Sequence, residues 1–489
     1  MAGGRDFFAA PRFSPDGSRL AWICWDMPNM PWDGTELWAA EVRWGGEIGR
    51  ASQVAGGPRE SIFQPGWSPG GDLHFVSDRT GWWNLYRREA GGSDTNLTPT
   101  DAEFGVPAWE FGYATYAFLA DGRIACVSHR SGSEHLSMLD ATTGELLDLD
   151  LPYATFAPYL DADGSRLVFV AGGPAIPHQV VSLDFVTRGV DVVRESERLS
   201  FDPGYVSVAE PIEFPTEGGL SAHAYHYPPA NPEFVAPEGE RPPLVVMSHG
   251  GPTAESSPEF DIRLQFFTSR GFAVVDVNYG GSTGYGREYQ QRLLGRWGVV
   301  DVQDCINAAR YLVEEGGADP GRLLVSGGSA GGWTTLCALV FHDVFAAGAS
   351  YFGVSDLEPF ASHTHKFELK YIDDLVGPWP RAAEVWRARS PVRHAGLLSR
   401  PVILFQGLED EVVPPSQSEI MVQALEANGI PYAYLTFEGE QHGFRKAENI
   451  ARSLEAELYF YSRIVGFELA EPVEPIEIHH LRKGSVPPR

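Results

Sequence analysis

The sequence is poor in positive charge: 37 Lys and Arg stand against 65 Asp and Glu, a formal net charge of −28 over 489 residues. That balance argues against nucleic acid as a partner, because phosphate binding draws on clustered Lys and Arg. Cysteine is scarce too. Cys24, Cys126, Cys305 and Cys337 are widely spread, with no CxxC pair and no metal-ligand spacing. Three of them sit in largely apolar runs and Cys305 in a more polar, helix-like one, so all four read as structural thiols of a reducing compartment. No run approaches the ~20 apolar residues of a membrane-spanning helix. The stretch from Met1 to Phe8 has no basic segment followed by an apolar one, so no secretory leader is expected. These absences predict a soluble, cytoplasmic protein with no membrane partner.

What is present is core-forming material. Hydrophobic residues make up 43% of the chain, with 13 Trp and 28 Phe, while charged residues are only 21%. Such a chain can bury large cores, and its length suggests two or three domains.

The first 204 residues read as short strands with a weak repeat. Asp16-Gly17, Gly70-Gly71, Asp121-Gly122 and Asp163-Gly164 each stand between apolar alternations, which is a hairpin signature. Their spacing of 42 to 54 residues predicts propeller blades, of which four can be counted. From about 205 to 470 the rhythm changes. Apolar strands at 244–247, 273–277, 323–326, 402–405 and 432–437 alternate with helical patterns, notably 302–314 and 416–428. That alternation predicts a doubly wound, mostly parallel sheet covered on both faces, the α/β-hydrolase type. The segment 471–489 is rich in Pro and charge and reads as a loosely held tail.

The chemistry concentrates in the second part. Gly327-Gly328-Ser329-Ala330-Gly331-Gly332 follows the strand 323–326 and precedes a helix-like run. A nucleophile on a sharp strand-to-helix turn needs small residues on either side, and the helix start favours negative charge. Ser329 is therefore the candidate nucleophile. Its hydroxyl needs a base, and in this fold an acid and then a histidine follow in chain order. His442, in the loop after 432–437, is the candidate base. The loop after 402–405 offers Glu409, Asp410 and Glu411 as candidate acids, and the residues alone do not choose among them. Ser248-His249-Gly250-Gly251-Pro252 follows the strand 244–247, where a glycine pair can turn backbone N–H groups toward an oxyanion. The N–H groups of Gly251 and Ala330 are the candidate donors. Together these elements predict acyl transfer that needs no cofactor. His363 and His365 lack an evident third ligand, so no metal is expected, and His479-His480 carries no further signal.

The motif from His249 to Pro252, the stretch 278–286 (Asn278-Tyr279-Gly280-Gly281-Ser282-Thr283-Gly284-Tyr285-Gly286), the nucleophile turn, the loop 407–414 and His442-Gly443-Phe444 resemble the prolyl oligopeptidase family. Within it they are most similar to the acylaminoacyl-peptidase and dipeptidyl-aminopeptidase-like branch. The resemblance is sharp over about 205–466 and looser over the blades. It implies a serine peptidase taking short peptides, with Asp410 as the acid that orients His442. It also implies a pocket for the residue before the scissile bond, built from the segment after Val354, with Leu357, Phe360 and Phe367 as apolar walls. Members of the family usually carry seven or eight blades, so four is a departure. No paired glutamates stand out in the first part to hold a free peptide amine, which tilts the expectation toward acylaminoacyl or oligopeptide substrates. A carboxylesterase with the same triad is the alternative, and an inactive propeller scaffold a further one. A homo-oligomer is left open.

Overall fold

In the computed structural model, residues 3–130, 132–362 and 364–481 are described. The chain divides into two compact units, one of residues 1–200 with 257–260 and 283–291, the other of the remainder.

Among the described residues, the first unit holds four antiparallel sheets of four strands, each in sequence order. The strands of the first sheet are Phe7–Phe13, Arg19–Trp25, Glu36–Glu41 and Ser52–Gly56. The fourth is built from Thr155–Asp163, Arg166–Gly173, Ile176–Asp184 and Gly189–Glu195. Four-stranded meanders of this kind are propeller blades. The alternation read from the sequence puts one face of each strand into an apolar layer. Leu119, Val127 and Leu136 of the third sheet share one core with Leu160, Leu167, Phe169 and Val181 of the fourth.

The second unit is organised around one eight-stranded sheet. Its strands are β1 (Glu210–Pro215), β2 (Ser221–Tyr227), β3 (Leu244–Ser248), β4 (Ala273–Asn278), β5 (Leu323–Gly328), β6 (Ala347–Tyr351), β7 (Val402–Gly407) and β8 (Tyr432–Phe437). The spatial order is β1-β2-β4-β3-β5-β6-β7-β8. The two pairings of β2 are antiparallel. All pairings from β4 onward to β8 are parallel. The helices that matter for the site are α1 (Ile262–Thr268), α2 (Val300–Glu314), α3 (Ala330–Phe341), α4 (Ser416–Asn428) and α5 (Ala447–Val465). This is the α/β-hydrolase architecture, in which the chemistry collects at the carboxyl ends of the parallel strands.

The central strands are buried on both faces, which is why they read as continuous apolar runs. Val245, Leu324, Ile403 and Phe405 pack with Phe267 of α1 and with Leu454, Leu458, Phe460 and Tyr461 of α5. The strand β6 was not among those expected. Its sequence, Ala-Gly-Ala-Ser-Tyr, has no β-branched residue, and it is a strand because β5 and β7 flank it.

The segment from Glu471 also departs from expectation, as far as residue 481. His479 bridges to Tyr432, donating its N–H to the Tyr432 carbonyl at 2.8 Å, while Ile476 and Ile478 pack on the main core. Residues 482–489 of the expected tail lie outside the described residues. All four cysteines are buried as free thiols. Among the described residues, no helix is long and apolar enough to cross a membrane.

Candidate active site

Three strands deliver the chemistry to one end of the sheet. Strand β5 ends at Gly328, and Ser329 turns the chain into α3 with φ 56° and ψ −116°. A β-carbon on Gly327 would lie 2.4 Å from the Gly331 carbonyl oxygen, and one on Gly331 would lie 2.1 Å from that of Ser248. Only hydrogen fits at either place, so both glycines are dictated by the closeness of the turn. The Ser329 N–H donates to the Tyr351 carbonyl at 2.9 Å, tying the turn to the end of β6.

The loop after β7 carries Asp410 and the loop after β8 carries His442. His442 Nε2 stands 2.9 Å from Ser329 Oγ. His442 Nδ1 stands 2.8 Å from Asp410 Oδ2. The other Asp410 oxygen, Oδ1, accepts the N–H groups of Val412 and Val413, both at 2.9 Å. The Asp410 side chain has no exposed surface, whereas His442 keeps 23% of its own. Glu409 and Glu411 are exposed. Of the three candidate acids the structure therefore brings only Asp410 to the imidazole. Buried Glu440 shapes the histidine loop, accepting from the backbone N–H groups of Arg445 and Lys446 at 2.9 Å and from Asn449 Nδ2 at 2.7 Å.

The glycine pair after β3 runs alongside the nucleophile. A β-carbon on Gly250 would sit 3.4 Å from the Gly328 oxygen and 3.6 Å from Ser329 Cβ, and Gly251 carries φ +116°. This loop is held from several sides. His249 Nε2 meets Ser282 Oγ at 2.6 Å, and its ring stacks on Tyr279 at 4.3 Å. Burial pushes the His249 pKa down to about 4, so the ring stays neutral as a structural part. The Tyr371 hydroxyl accepts the Thr253 N–H at 2.9 Å and donates to Thr253 Oγ1 at 2.6 Å.

Of the expected pocket walls, Leu357 is fully buried, and Phe360 and Phe367 are half-buried in short turns. His363 lies outside the described residues. Among the described residues, no cluster of three His, Cys, Asp or Glu could hold a metal ion. The sequence reading missed Tyr351, Phe352 and Tyr371. Phe352, at φ 39°, presents its ring edge to His442 with centroids 4.9 Å apart. A non-glycine residue in the left-handed region beside a reactive loop is a functional signal, but it is invisible until the backbone is seen.

The fold and this constellation define an α/β-hydrolase. Residues 258–468 match the model of the prolyl oligopeptidase family. The chain is 34% identical over 213 residues, 42% of its length, to dipeptidyl aminopeptidase BIII of Pseudoxanthomonas mexicana. It is 31% identical over 220 residues, 42% of its length, to the acylamino-acid-releasing enzyme of Arabidopsis thaliana. These matches span 31% and 28% of the two relatives, so the chain matches only about a third of the length of each. The solved puromycin-hydrolyzing peptidase of Mycobacterium tuberculosis is 48% identical, with a TM-score of 0.94 over 97% of this chain and 72% of that one. The chain belongs to the prolyl oligopeptidase family.

Proposed function

We propose that the chain is a serine peptidase that hydrolyses short peptides through a Ser329–His442–Asp410 triad and an acyl-enzyme. The observation that carries this reading is His442, 2.9 Å from Ser329 Oγ on one side and 2.8 Å from fully buried Asp410 on the other. His442 Nε2 takes the hydroxyl proton as Ser329 Oγ attacks the amide carbonyl carbon. The negative charge that moves to the carbonyl oxygen is met by the N–H groups of Gly251 and Ala330, an arrangement worth about 3 kcal/mol per donor in comparable sites. The C–N bond then breaks and His442 returns the proton to the leaving amine. Water, activated by the same imidazole, hydrolyses the ester and frees Ser329. Asp410 holds the tautomer in which Nδ1 carries hydrogen and stabilises the imidazolium. Each step uses this chain's own groups and needs no cofactor.

The substrate class is supported by the relatives, whose names describe dipeptidyl, acylamino-acid and puromycin-hydrolyzing activities. Acylaminoacyl-peptidase, dipeptidyl-peptidase and oligopeptidase action all fit the same triad. Phe360 and Phe367, both half-buried, are proposed to line the pocket for the residue before the scissile bond, whereas Leu357 has no exposed surface to offer it. Four buried free thiols favour a reducing compartment such as the cytoplasm.

The test is turnover of a panel by wild type and Ser329→Ala: a nitrophenyl ester, acetylated and free-amino aminoacyl anilides, puromycin and a longer blocked peptide. Ser329-dependent cleavage of the amides is expected, and the anilide pair shows which amino terminus is read. Turnover of the ester alone would make the chain a carboxylesterase.

A further inference from the structure

Behind the nucleophile turn lies a buried carboxyl group that the triad does not use. Glu457, on α5, is 1% exposed. Its Oε2 accepts the Tyr351 hydroxyl at 2.5 Å, and its Oε1 is buried as well. Tyr351 is the residue whose backbone carbonyl receives the Ser329 N–H. Its ring stacks on Phe405 of β7 at 4.3 Å and tilts against Phe444 at 6.1 Å. The next residue, Phe352, meets both the His442 ring and Phe444, at 4.9 and 5.5 Å. One side chain therefore stands at the root of contacts that reach the nucleophile and the base.

We propose that Glu457 is a positioning residue: through Tyr351 it fixes the backbone carbonyl that holds Ser329 and the Phe352 ring that abuts His442.

This rests on the triad reading above. The groups facing Glu457 explain why a carboxyl can occupy such a place. The hydroxyls of Ser326 on β5, Tyr351 on β6 and Tyr461 on α5, with the more distant Arg263 cation on α1, favour its charged form. Burial opposes them and prevails, pushing its pKa up. Whatever its charge, the carboxyl keeps an acceptor, Oε2, for the Tyr351 hydroxyl. The Tyr461 hydroxyl, also within this layer, donates to the Val325 carbonyl at 3.4 Å, so the cluster grips β5 as well as β6. The amide of glutamine reproduces the carboxyl's shape and keeps an acceptor oxygen for Tyr351, and leucine reproduces only its bulk.

The test compares full-length wild type with Glu457→Gln, Glu457→Leu and Tyr351→Phe. It uses kcat and KM on the best amide of the panel, the rate of Ser329 modification by a fluorophosphonate, and thermal unfolding. Small misplacements of reacting groups cost kcat more than binding, so Glu457→Leu and Tyr351→Phe are expected to lose about tenfold in kcat and in labelling rate, with KM little changed. Glu457→Gln is expected to restore most of both. If Glu457→Leu does not fold, Tyr351→Phe and Glu457→Gln carry the comparison. Wild-type rates in Tyr351→Phe, or a Gln variant as slow as the other two, would overturn the proposal while leaving a labelled wild-type Ser329 intact. Failure of wild-type Ser329 to label would instead remove the triad reading, and this proposal with it.

Discussion

The Ser329 N–H donates to the Tyr351 carbonyl at 2.9 Å, so a residue at φ 56° is anchored by the neighbouring strand. A non-glycine residue in that region persists only where the surroundings over-determine it. Here those surroundings are the tight glycine contacts on either side of the turn and the end of β6.

Substituting Gly331 with alanine tests the crowding directly. The added methyl would meet the Ser248 carbonyl oxygen at 2.1 Å, a backbone atom that cannot swing aside as a side chain could. Gly331→Ala is expected to displace the turn, lowering kcat by about 100-fold or more. It should also lower the unfolding temperature by several degrees, since about 1 kcal/mol shifts it by roughly 2 to 4 °C in domains of this size. Steady-state kinetics and a thermal melt read both effects, and wild-type behaviour in each would contradict the contact.

Asp410→Asn should cost about 10⁴-fold in kcat, because the amide cannot hold the imidazole in the productive tautomer. Glu409→Gln and Glu411→Gln, at exposed side chains, should stay near wild type. The same large loss in Glu409→Gln, with Asp410→Asn unaffected, would reverse the assignment.

Tyr371→Phe removes a hydroxyl that both accepts from and donates to Thr253. The glycine loop then loses an anchor, and a buried N–H left short of its partner costs about 1 to 3 kcal/mol. The expected outcome is a roughly tenfold fall in kcat/KM together with a lower unfolding temperature. An unchanged kcat/KM would show that the loop keeps its place without Tyr371.

Stability should also carry a pH signature from α2. Asp301 is fully buried, accepting from Thr334 Oγ1 at 2.6 Å and from the Gly298 N–H at 2.7 Å. Burial raises its pKa from 3.8 to about 6, so the folded form retains a proton that the unfolded chain has released. The fold therefore loses stability from this group as pH rises from about 4 to about 6. Asp301→Asn lacks that loss, so its unfolding temperature should gain on wild type across the same interval. A difference independent of pH would refute the assignment.

Much of this is legible in the sequence, for physical reasons. A blade announces itself through Asp-Gly turns between alternating strands, and four such sheets are present among the described residues. Ser329 and His442 are readable because each loop follows an apolar strand, and parallel strands deliver their following loops to one end. The residues alone narrow the acid only to Glu409, Asp410 and Glu411, since which of three consecutive side chains turns inward depends on loop geometry. The strand β6 is hidden by its small residues. Tyr371 and Glu457 are hidden because their partners, Thr253 and Tyr351, lie 118 and 106 residues away in the chain. An aromatic or a glutamate on a helix looks ordinary until its distant partner is known.

In the proposed triad, His442 makes Ser329 a nucleophile. The most direct measurement is fluorophosphonate labelling of the intact protein, with the modified residue located by peptide mass spectrometry, in wild type, His442→Ala and Ser329→Ala. One adduct is expected, on Ser329, formed quickly in wild type, slower by orders of magnitude in His442→Ala and absent in Ser329→Ala. An adduct on another residue, or labelling of Ser329 at the same rate without His442, would contradict it.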